Sequence, residues 1–169
     1  RDYAYWEIPI PIPGRESTIS CPHSYPLFYE ALELREGDKF LEIGAGSGYG
    51  AALAREVVGP SGLVVTVEID RDAYEFAKRN LRRLGYSDVV VVLGDGKLGY
   101  PPLAPYDKIS VTAACARVPE PLLSQLKPGG RLIAPIGGSI DQDLTLFEKL
   151  RDGEVRRRAI AKVLYVQLR

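Results

Sequence analysis

A loop with a glycine at every second position follows a short apolar segment in the first half of the chain. The stretch over residues 39–50 reads KFLEIGAGSGYG, with the acid Glu42 just ahead of the first glycine. The glycines remove side chains where a bulky ligand would meet Cβ atoms, and they allow positive φ; they are Gly44, Gly46, Gly48 and Gly50. An apolar helix pattern follows, so strand, glycine turn and helix together predict a nucleotide-cofactor loop.

The spacing of these glycines distinguishes between two classes of cofactor. Tyr49 stands where the third glycine of G-x-G-x-x-G would fall, which disfavours a nicotinamide oxidoreductase. Glu42 followed by G-x-G-x-G resembles motif I of the class I S-adenosylmethionine methyltransferases. The alternative is a tight strand-to-helix turn without a ligand. Loops at this point of a βαβ unit are usually occupied, which favours a ligand.

Two further acids follow apolar segments and are expected to face the same crevice. Glu68 ends the apolar run over residues 63–67, where an acid can accept hydrogen bonds from both ribose hydroxyls of an adenosine. Asp95 stands between two glycines after another apolar run and can reach an adenine amino group. Its alternative is a simple Asp-Gly turn. Asp70 and Asp72 are interpreted differently, as charges that favour the start of a helix.

Strands alternate with helices through residue 136, which predicts an α/β fold. It is a doubly wound, Rossmann-like, mainly parallel sheet with right-handed crossovers. The predicted strands span residues 40–43, 63–67, 89–93, 107–112 and 131–136, and predicted helices follow Gly48 and span 73–84 and 119–127, the last ending in a turn over 127–130. Two strands, over 144–148 and 159–168, predict a C-terminal antiparallel hairpin. We expect one domain with an N-terminal arm and helix (1–38), a cofactor-binding sheet (39–137) and the hairpin (138–169).

The N-terminal arm carries prolines at every second position from 9 to 13, which predicts an extended surface segment. This segment is either a wrapping arm or a wall of a binding cleft. Ser20 and Pro22 together predict a helix start with Ser20 near the N-cap. The chain opens at Arg1 and contains no methionine, so we expect a natural N-terminal segment to be missing.

Composition excludes several function classes. The net charge is zero, so no strong basic field attracts nucleic acid or an acidic membrane. No apolar run reaches transmembrane length. Cys21 and Cys115 have neither metal-ligand spacing nor a CxxC pairing, so we expect no metal, reduced thiols and a cytoplasmic location. The three consecutive arginines at 156–158 are interpreted as a solvated face.

Several sequence blocks resemble those of protein-L-isoaspartate O-methyltransferases, in the same order and spacing. These blocks are STISCPH at 17–23, LEIGAGSGYG, VEID, LGDG, APYD, VTAA, LKPGGRLIAPIG and the final VQL. The resemblance runs from about Tyr3 to the C-terminus. Some blocks are generic to methyltransferases, whereas TIS-x-PH, the GDG-to-APYD spacing and the PIG ending are specific. Cys21 replaces the family's usual Ala or Gln, and Cys115-Ala116 replaces Ala-Pro, with little expected effect.

The resemblance implies methyl transfer from S-adenosyl-L-methionine, leaving S-adenosyl-L-homocysteine, to the free α-carboxylate of L-isoaspartyl residues in damaged proteins and peptides. Such a carboxylate has a pKa near ~3.5 and is already ionised, so the reaction needs no general base. The activation barrier comes mainly from aligning a carboxylate oxygen with the sulfonium methyl group and removing water from the carboxylate. By resemblance Ser20 is the catalytic serine, whose neutral hydroxyl orients the carboxylate without quenching it.

The remaining roles are also implied by the resemblance. The substrate-binding residues are Thr18, His23, Pro135, Ile136, Gly137 and Val166, and the cofactor-binding residues are Glu42, Gly44, Gly46, Gly48, Glu68, Ile69, Asp95, Gly96 and Thr112. His23, the only histidine, is equally well a surface residue in a helix's first turn. We expect a monomer. A methyltransferase for another acceptor and a noncatalytic isoaspartyl-binding relative remain open alternatives.

Overall fold

The computed structural model describes residues 6–15 and 17–169. The expectations for residues 1–5 of the arm therefore lie outside the described residues. Within the arm, β1 (Ile10–Pro11) pairs antiparallel with β2 (Thr18–Ile19) in a small separate sheet. This agrees with the extended conformation that the alternating prolines predict, because proline is tolerated in an edge strand.

Within the described chain, seven strands form the main sheet in the order β5-β4-β3-β6-β7-β8-β9. They are β3 (Lys39–Ile43), β4 (Leu63–Glu68), β5 (Val90–Leu93), β6 (Tyr106–Val111), β7 (Leu126–Gly137), β8 (Gln142–Lys149) and β9 (Val155–Val163). The first five in spatial order are parallel, and β8 and β9 are antiparallel. The predicted doubly wound sheet with a C-terminal hairpin is confirmed.

Helices cover both faces of this sheet. Those in the described chain are α1 (Ser24–Leu32), α2 (Tyr49–Val58), α3 (Arg71–Arg83) and α4 (Glu120–Ser124), with 3-10 turns at Gly96–Leu98 and Pro101–Leu103. Successive strand residues point to opposite faces. Phe40 therefore packs in one buried cluster with Phe28 of α1, while Leu41 packs in the other with Leu122 of α4. The result is a three-layer α/β/α domain.

The predicted helix start at Ser20 is wrong, because α1 begins four residues later, at Ser24. β2 holds the chain extended as far as Ile19, so the next residues must turn the chain before a helix can form. The Ser24 N–H donates to the Cys21 carbonyl at 3.0 Å and closes that turn. Ser20 is therefore not a helix cap.

The predicted helix over 119–127 is too long. β7 already pairs Leu126 with Tyr106. Lys149 donates to the carbonyl oxygens of Leu123 and Leu126 at 2.8 and 2.9 Å, and so satisfies acceptors at the end of α4. The expected turn after this helix instead lies inside β7, where the pairing with β6 shifts register.

The last predicted strand, over 159–168, is also displaced, since β9 runs from Val155 to Val163. The reason is the length of its partner: β8 begins at Gln142, which pairs with Val163, so the ladder ends there. The chain then crosses to Ala114 as the final segment, which we define as residues 164–169. Ala114 donates to the Val166 carbonyl at 2.7 Å and accepts from the Leu168 N–H at 2.7 Å.

The strand order determines where the crevice for a ligand lies. From β3 the chain runs outward through β4 and β5, then crosses to β6 on the other side of β3. The loops after β3 and β6 therefore leave the sheet in opposite directions, and a crevice opens between them at the strands' carboxyl ends. Among the described residues, none of the helices is long and apolar enough to cross a membrane.

Asp70 caps α3, as its position in the sequence predicts. Its carboxylate accepts from the backbone N–H groups of Asp72 and Ala73 at 3.0 and 3.2 Å. We expect Asp70→Ala to lower the free energy of unfolding by about 1 kcal/mol, because these amides lose their acceptor. Asp70→Asn keeps an acceptor oxygen and is the matched control. Urea unfolding measures both variants, and an unchanged Asp70→Ala protein would contradict the capping role.

Candidate active site

The glycine loop is hydrogen-bonded to Thr112, the residue that follows β6. The Thr112 hydroxyl lies 2.9 Å from the Ile43 carbonyl and 3.1 Å from the Gly44 carbonyl, and the Thr112 N–H donates to Ile43 at 2.9 Å. Gly44 has a φ of 100°, and a Cβ there would lie 2.3 Å from the Thr112 hydroxyl oxygen. Glycine is thus required at this position, where the two sides of the crevice meet.

Glu68 fixes the far side of the same loop. One carboxylate oxygen accepts from the Gly46 N–H at 3.0 Å and the other from the Asp70 N–H at 3.0 Å. The residue is only 6% exposed, yet it lines the cleft. Each oxygen has a second acceptor position, so both can still receive a hydrogen bond from a ligand.

Glu42 lies beneath the loop and is 2% exposed. The Thr66 hydroxyl donates to it at 2.7 Å. A Cβ on Gly50 would stand 2.2 Å from a Glu42 carboxyl oxygen, so α2 can pack this closely only with glycine there. Burial raises the pKa of Glu42 to about 8, the Thr66 hydrogen bond opposes that rise, and the charge of Glu68 adds to it. Glu42 is therefore mostly protonated at neutral pH.

A cleft of about 610 Å³ lies at the carboxyl ends of β3, β4 and β6. This volume is typical of a small-molecule or cofactor site. Eleven residues with a predicted site role line it: Thr18, Ser20, His23, Glu42, Gly44, Gly46, Glu68, Ile69, Gly96, Thr112 and Val166. The structure therefore brings the predicted catalytic serine and most of the predicted cofactor residues together.

Two predicted cofactor residues lie outside the cleft lining. Gly48 is the N-cap of α2 and faces α3, where an added Cβ would lie 3.0 Å from Leu81. Its role in this structure is close helix packing. Asp95 is exposed, and its carboxylate accepts from the Lys97 N–H at 2.9 Å, which caps a 3-10 turn. The Asp-Gly turn, which was the alternative interpretation of Asp95, is therefore present. The contact of Asp95 with adenine stays a prediction.

Three predicted substrate residues also lie away from the cleft lining: Pro135, Ile136 and Gly137. The Pro135 carbonyl accepts from the Cys115 N–H at 3.0 Å, and the Gly137 N–H donates to the Cys115 carbonyl at 3.0 Å. The end of β7 is thus covered by the loop that follows β6. Their substrate-binding role stays a prediction.

His23 lies at the rim of the cleft. It is exposed, and its Nδ1 is paired with Glu7 of the arm. Pro9 and Arg15 of the arm line the cleft as well. Of the two interpretations of the arm, the structure favours a cleft wall.

The sequence analysis missed part of the lining. Tyr25 and Tyr165 face the cleft from α1 and from the final segment, and Lys162 does so from the end of β9. The sequence analysis assigned Tyr25 no role, because no motif marks it. Since the final segment was predicted to continue the hairpin, its turn toward the cleft gave no local signal.

The fold and this cleft define a class I methyltransferase. The family model described as protein-L-isoaspartate(D-aspartate) O-methyltransferase (PCMT) matches residues 1–169. A protein-L-isoaspartate O-methyltransferase from Methanopyrus kandleri is 52% identical over 169 residues, which cover 99% of this chain and 74% of that protein. The chain belongs to the protein-L-isoaspartate O-methyltransferase family.

Solved structures agree with this assignment. One protein-L-isoaspartate O-methyltransferase is 40% identical, with a TM-score of 0.90 over 98% of this chain and 54% of its own chain. This chain thus spans about half the length of that structure. A Plasmodium falciparum structure titled as a putative member, in complex with S-adenosyl-L-homocysteine, has a TM-score of 0.87 at 24% identity. It covers 98% of this chain and 81% of its own, and supports the fold.

The described residues fit the cofactor of this class, S-adenosyl-L-methionine. The Glu68 carboxylate retains one acceptor position on each oxygen, which suits a pair of neighbouring ribose hydroxyls. Gly44 and Gly46 expose backbone to the cleft without side chains between. Within the part of the chain that is described, no three His, Cys, Asp or Glu residues gather as a metal site requires.

The buried Glu42 carboxyl generates a pH prediction. Its folded pKa lies above the ordinary value of 4.5, so between about pH 4.5 and 8 the folded protein holds a proton that the unfolded chain has released. Wild-type stability should therefore fall as pH rises through this window. Glu42→Gln stays neutral and keeps an acceptor for Thr66. Its stability relative to wild type should rise by up to about 1.4 kcal/mol per pH unit between pH 5 and 8.

Urea unfolding of both proteins at pH 5.5 and 8 measures this difference. Thr66→Val in each background serves as a control for the hydrogen bond to the carboxyl group. Parallel pH profiles for wild type and Glu42→Gln would contradict a protonated Glu42.

Proposed function

We propose that this chain repairs damaged proteins by moving a methyl group from S-adenosyl-L-methionine to the free α-carboxylate of L-isoaspartyl residues, with Ser20 as the catalytic residue. Family membership supports the reaction. The observation that carries the residue assignment is that Ser20 and Glu68 open on one cleft, although they lie on separate segments of the chain. A cofactor held by Glu68 and a substrate held by Ser20 would therefore meet.

Glu68 and the glycine loop would hold the cofactor. When bound, S-adenosyl-L-methionine supplies an electrophilic methyl group. Glu68 is preorganised for the ribose, because two backbone amides already fix its carboxylate. Ile69 lies directly beyond it, lines the cleft and is 45% exposed, so it offers apolar surface to the nucleoside. These residues contribute by orienting the cofactor, which lowers the entropic part of the barrier.

Ser20 would hold the substrate carboxylate. This carboxylate is ionised at neutral pH, so no side chain has to remove a proton from it. A serine hydroxyl donates one hydrogen bond, and its lack of charge leaves the carboxylate nucleophilic. Thr18 and His23 line the cleft on either side of Ser20 in the sequence and would contact the same substrate.

The charges at the cleft suit an anionic substrate. Arg15 and Lys162 both line it and are exposed. Lys162 pairs with Asp141 at 2.7 Å and Asp143 at 3.0 Å, so its charge is offset locally. A cation at the opening of a cleft raises the local concentration of anions and speeds their capture. We assign this role to Arg15.

Three further assignments belong to the proposal. We place the protein in the cytoplasm, where free thiols such as Cys21 and Cys115 remain reduced. We assign it no nucleic-acid partner, since its net charge is zero. We also assign it a monomeric state, because the cleft is built from segments of one chain.

Two peptides that differ only in isoAsp versus Asp test the reaction. We expect label from radioactive S-adenosyl-L-methionine on the isoAsp peptide alone, as a methyl ester. The Asp peptide is the matched control for nonspecific carboxyl methylation. Label on neither peptide, with the cofactor still bound, would contradict the proposed activity and favour a different acceptor or a noncatalytic binding role.

Ser20→Ala tests the role of the hydroxyl. We expect turnover to fall by an amount equivalent to roughly 1.5 to 3 kcal/mol, the contribution of a hydrogen bond to a charged group. Affinity for S-adenosyl-L-methionine should stay unchanged, because the predicted cofactor contacts lie elsewhere. Ser20→Thr keeps a hydroxyl and is the control. Unchanged turnover in Ser20→Ala would remove Ser20 from the mechanism.

A further inference from the structure

Two tyrosines from opposite parts of the chain meet behind Ser20. Tyr25 lies in the first turn of α1, and Tyr165 lies in the final segment, 140 positions later. Both line the main cleft, and both also line a void of about 10 Å³ beneath Ser20, which Glu42 borders as well. The void is no larger than one water molecule, so these side chains are packed closely around the serine.

Tyr25 is fixed by its ring and borders the void together with Ser20. The ring packs edge-on against Tyr49, with centroids 5.1 Å apart. Burial raises the pKa of the Tyr25 hydroxyl, the nearby Glu42 carboxyl group raises it further, and hydrogen bonding with the Ser20 backbone and side chain lowers it. Tyr25 is thus protonated at any physiological pH, and its side chain borders the same small void as Ser20.

Tyr165 is fixed by its backbone and its ring. Its N–H donates to the Gln142 side chain at 2.7 Å, and its carbonyl accepts from the same side chain at 2.9 Å. Gln142 is 1% exposed, and the Tyr165 ring packs on Phe28 with centroids 5.6 Å apart. Burial raises the pKa of the Tyr165 hydroxyl, and hydrogen bonding with the side chains of Ser24 and Ser20 opposes that rise.

A serine hydroxyl rotates about its C–O bond and has one hydrogen to donate. To orient a carboxylate, Ser20 must direct that hydrogen into the cleft. A neighbouring phenol that donates to the Ser20 oxygen leaves the serine hydrogen available for the substrate. Such a chain of hydrogen bonds also polarises the terminal donor. Neutral phenols achieve this without a cation that would repel the positively charged cofactor.

We propose that Tyr25 and Tyr165 are positioning residues that hold the Ser20 hydroxyl and direct its hydrogen toward the substrate carboxylate. The inference rests on the proposed function of Ser20. The inference also explains why the final segment turns toward the cleft. The β8–β9 ladder ends at the Gln142–Val163 pair, and Gln142 then holds Tyr165 near the serine. The substrate side is therefore complete only when this segment packs against the domain.

Tyr25→Phe and Tyr165→Phe remove only the hydroxyls, and they retain the ring contacts with Tyr49 and Phe28. Each should lower kcat for an isoAsp peptide by roughly 3- to 10-fold, as expected for one hydrogen bond between neutral groups. KM for the isoAsp peptide and the dissociation constant of S-adenosyl-L-homocysteine should each change by less than about twofold. Tyr106→Phe is the matched control, since its hydroxyl donates to the Tyr100 carbonyl at 2.7 Å, at the amino end of β6 and away from the cleft.

The decisive comparison repeats both substitutions in the Ser20→Ala background. If the tyrosines act through Ser20, neither should lower kcat further there. Equal losses in both backgrounds, or no loss in the wild-type background while Ser20→Ala itself is impaired, would overturn this inference and leave the proposed function intact. Full turnover by Ser20→Ala would remove Ser20 from the mechanism, and no methylation of the isoAsp peptide by the unmodified chain would overturn the proposed reaction. Either result would overturn this inference as well.

Discussion

The carboxylate of Glu68 is the interaction on which the site depends. It accepts one backbone N–H from the glycine loop, at Gly46, and one from its own strand's end, at Asp70. Asp70 in turn accepts from the Arg15 N–H at 3.1 Å. Two acids at the end of one strand thus connect the cofactor loop, the start of α3 and the arm. These backbone groups hold the acid in place, and each of its oxygens keeps an acceptor position for a ligand in the cleft that it lines.

The substrate side is built differently, from side chains brought together across the whole chain. β2 positions Ser20 by keeping the chain extended until just before it, and α1 then places Tyr25 behind it. Tyr165 arrives from the far end of the domain because the β8–β9 ladder stops at Gln142. The cofactor side is therefore held by hydrogen bonds to backbone groups at the ends of neighbouring strands, whereas the proposed substrate side depends on packing between distant segments. A stability defect in the hairpin should consequently affect substrate methylation before it affects cofactor binding.

The sequence predicted the parallel sheet and the cofactor loop because both have local signatures: apolar strands, a fixed glycine spacing and an acid at the end of β4. The resemblance predicted Ser20 as the catalytic residue, whereas its local sequence predicted a helix cap, and the structure has that helix start at Ser24. The end of β9 and the course of the final segment could not be predicted, since they depend on where a partner strand begins. For the same reason Tyr25 and Tyr165 could be recognised only after folding had brought them to one serine.

The most direct test of this account is a crystal structure of the chain with S-adenosyl-L-homocysteine. The account predicts both ribose hydroxyls on the Glu68 carboxylate, the loop from Gly44 to Gly46 against the ligand, and the sulfur end directed toward Ser20. The amides of Gly46 and Asp70 should keep their bonds to Glu68. A ligand whose ribose contacts other residues, or a Glu68 side chain that leaves those amides on binding, would contradict the preorganised acid as the basis of the site.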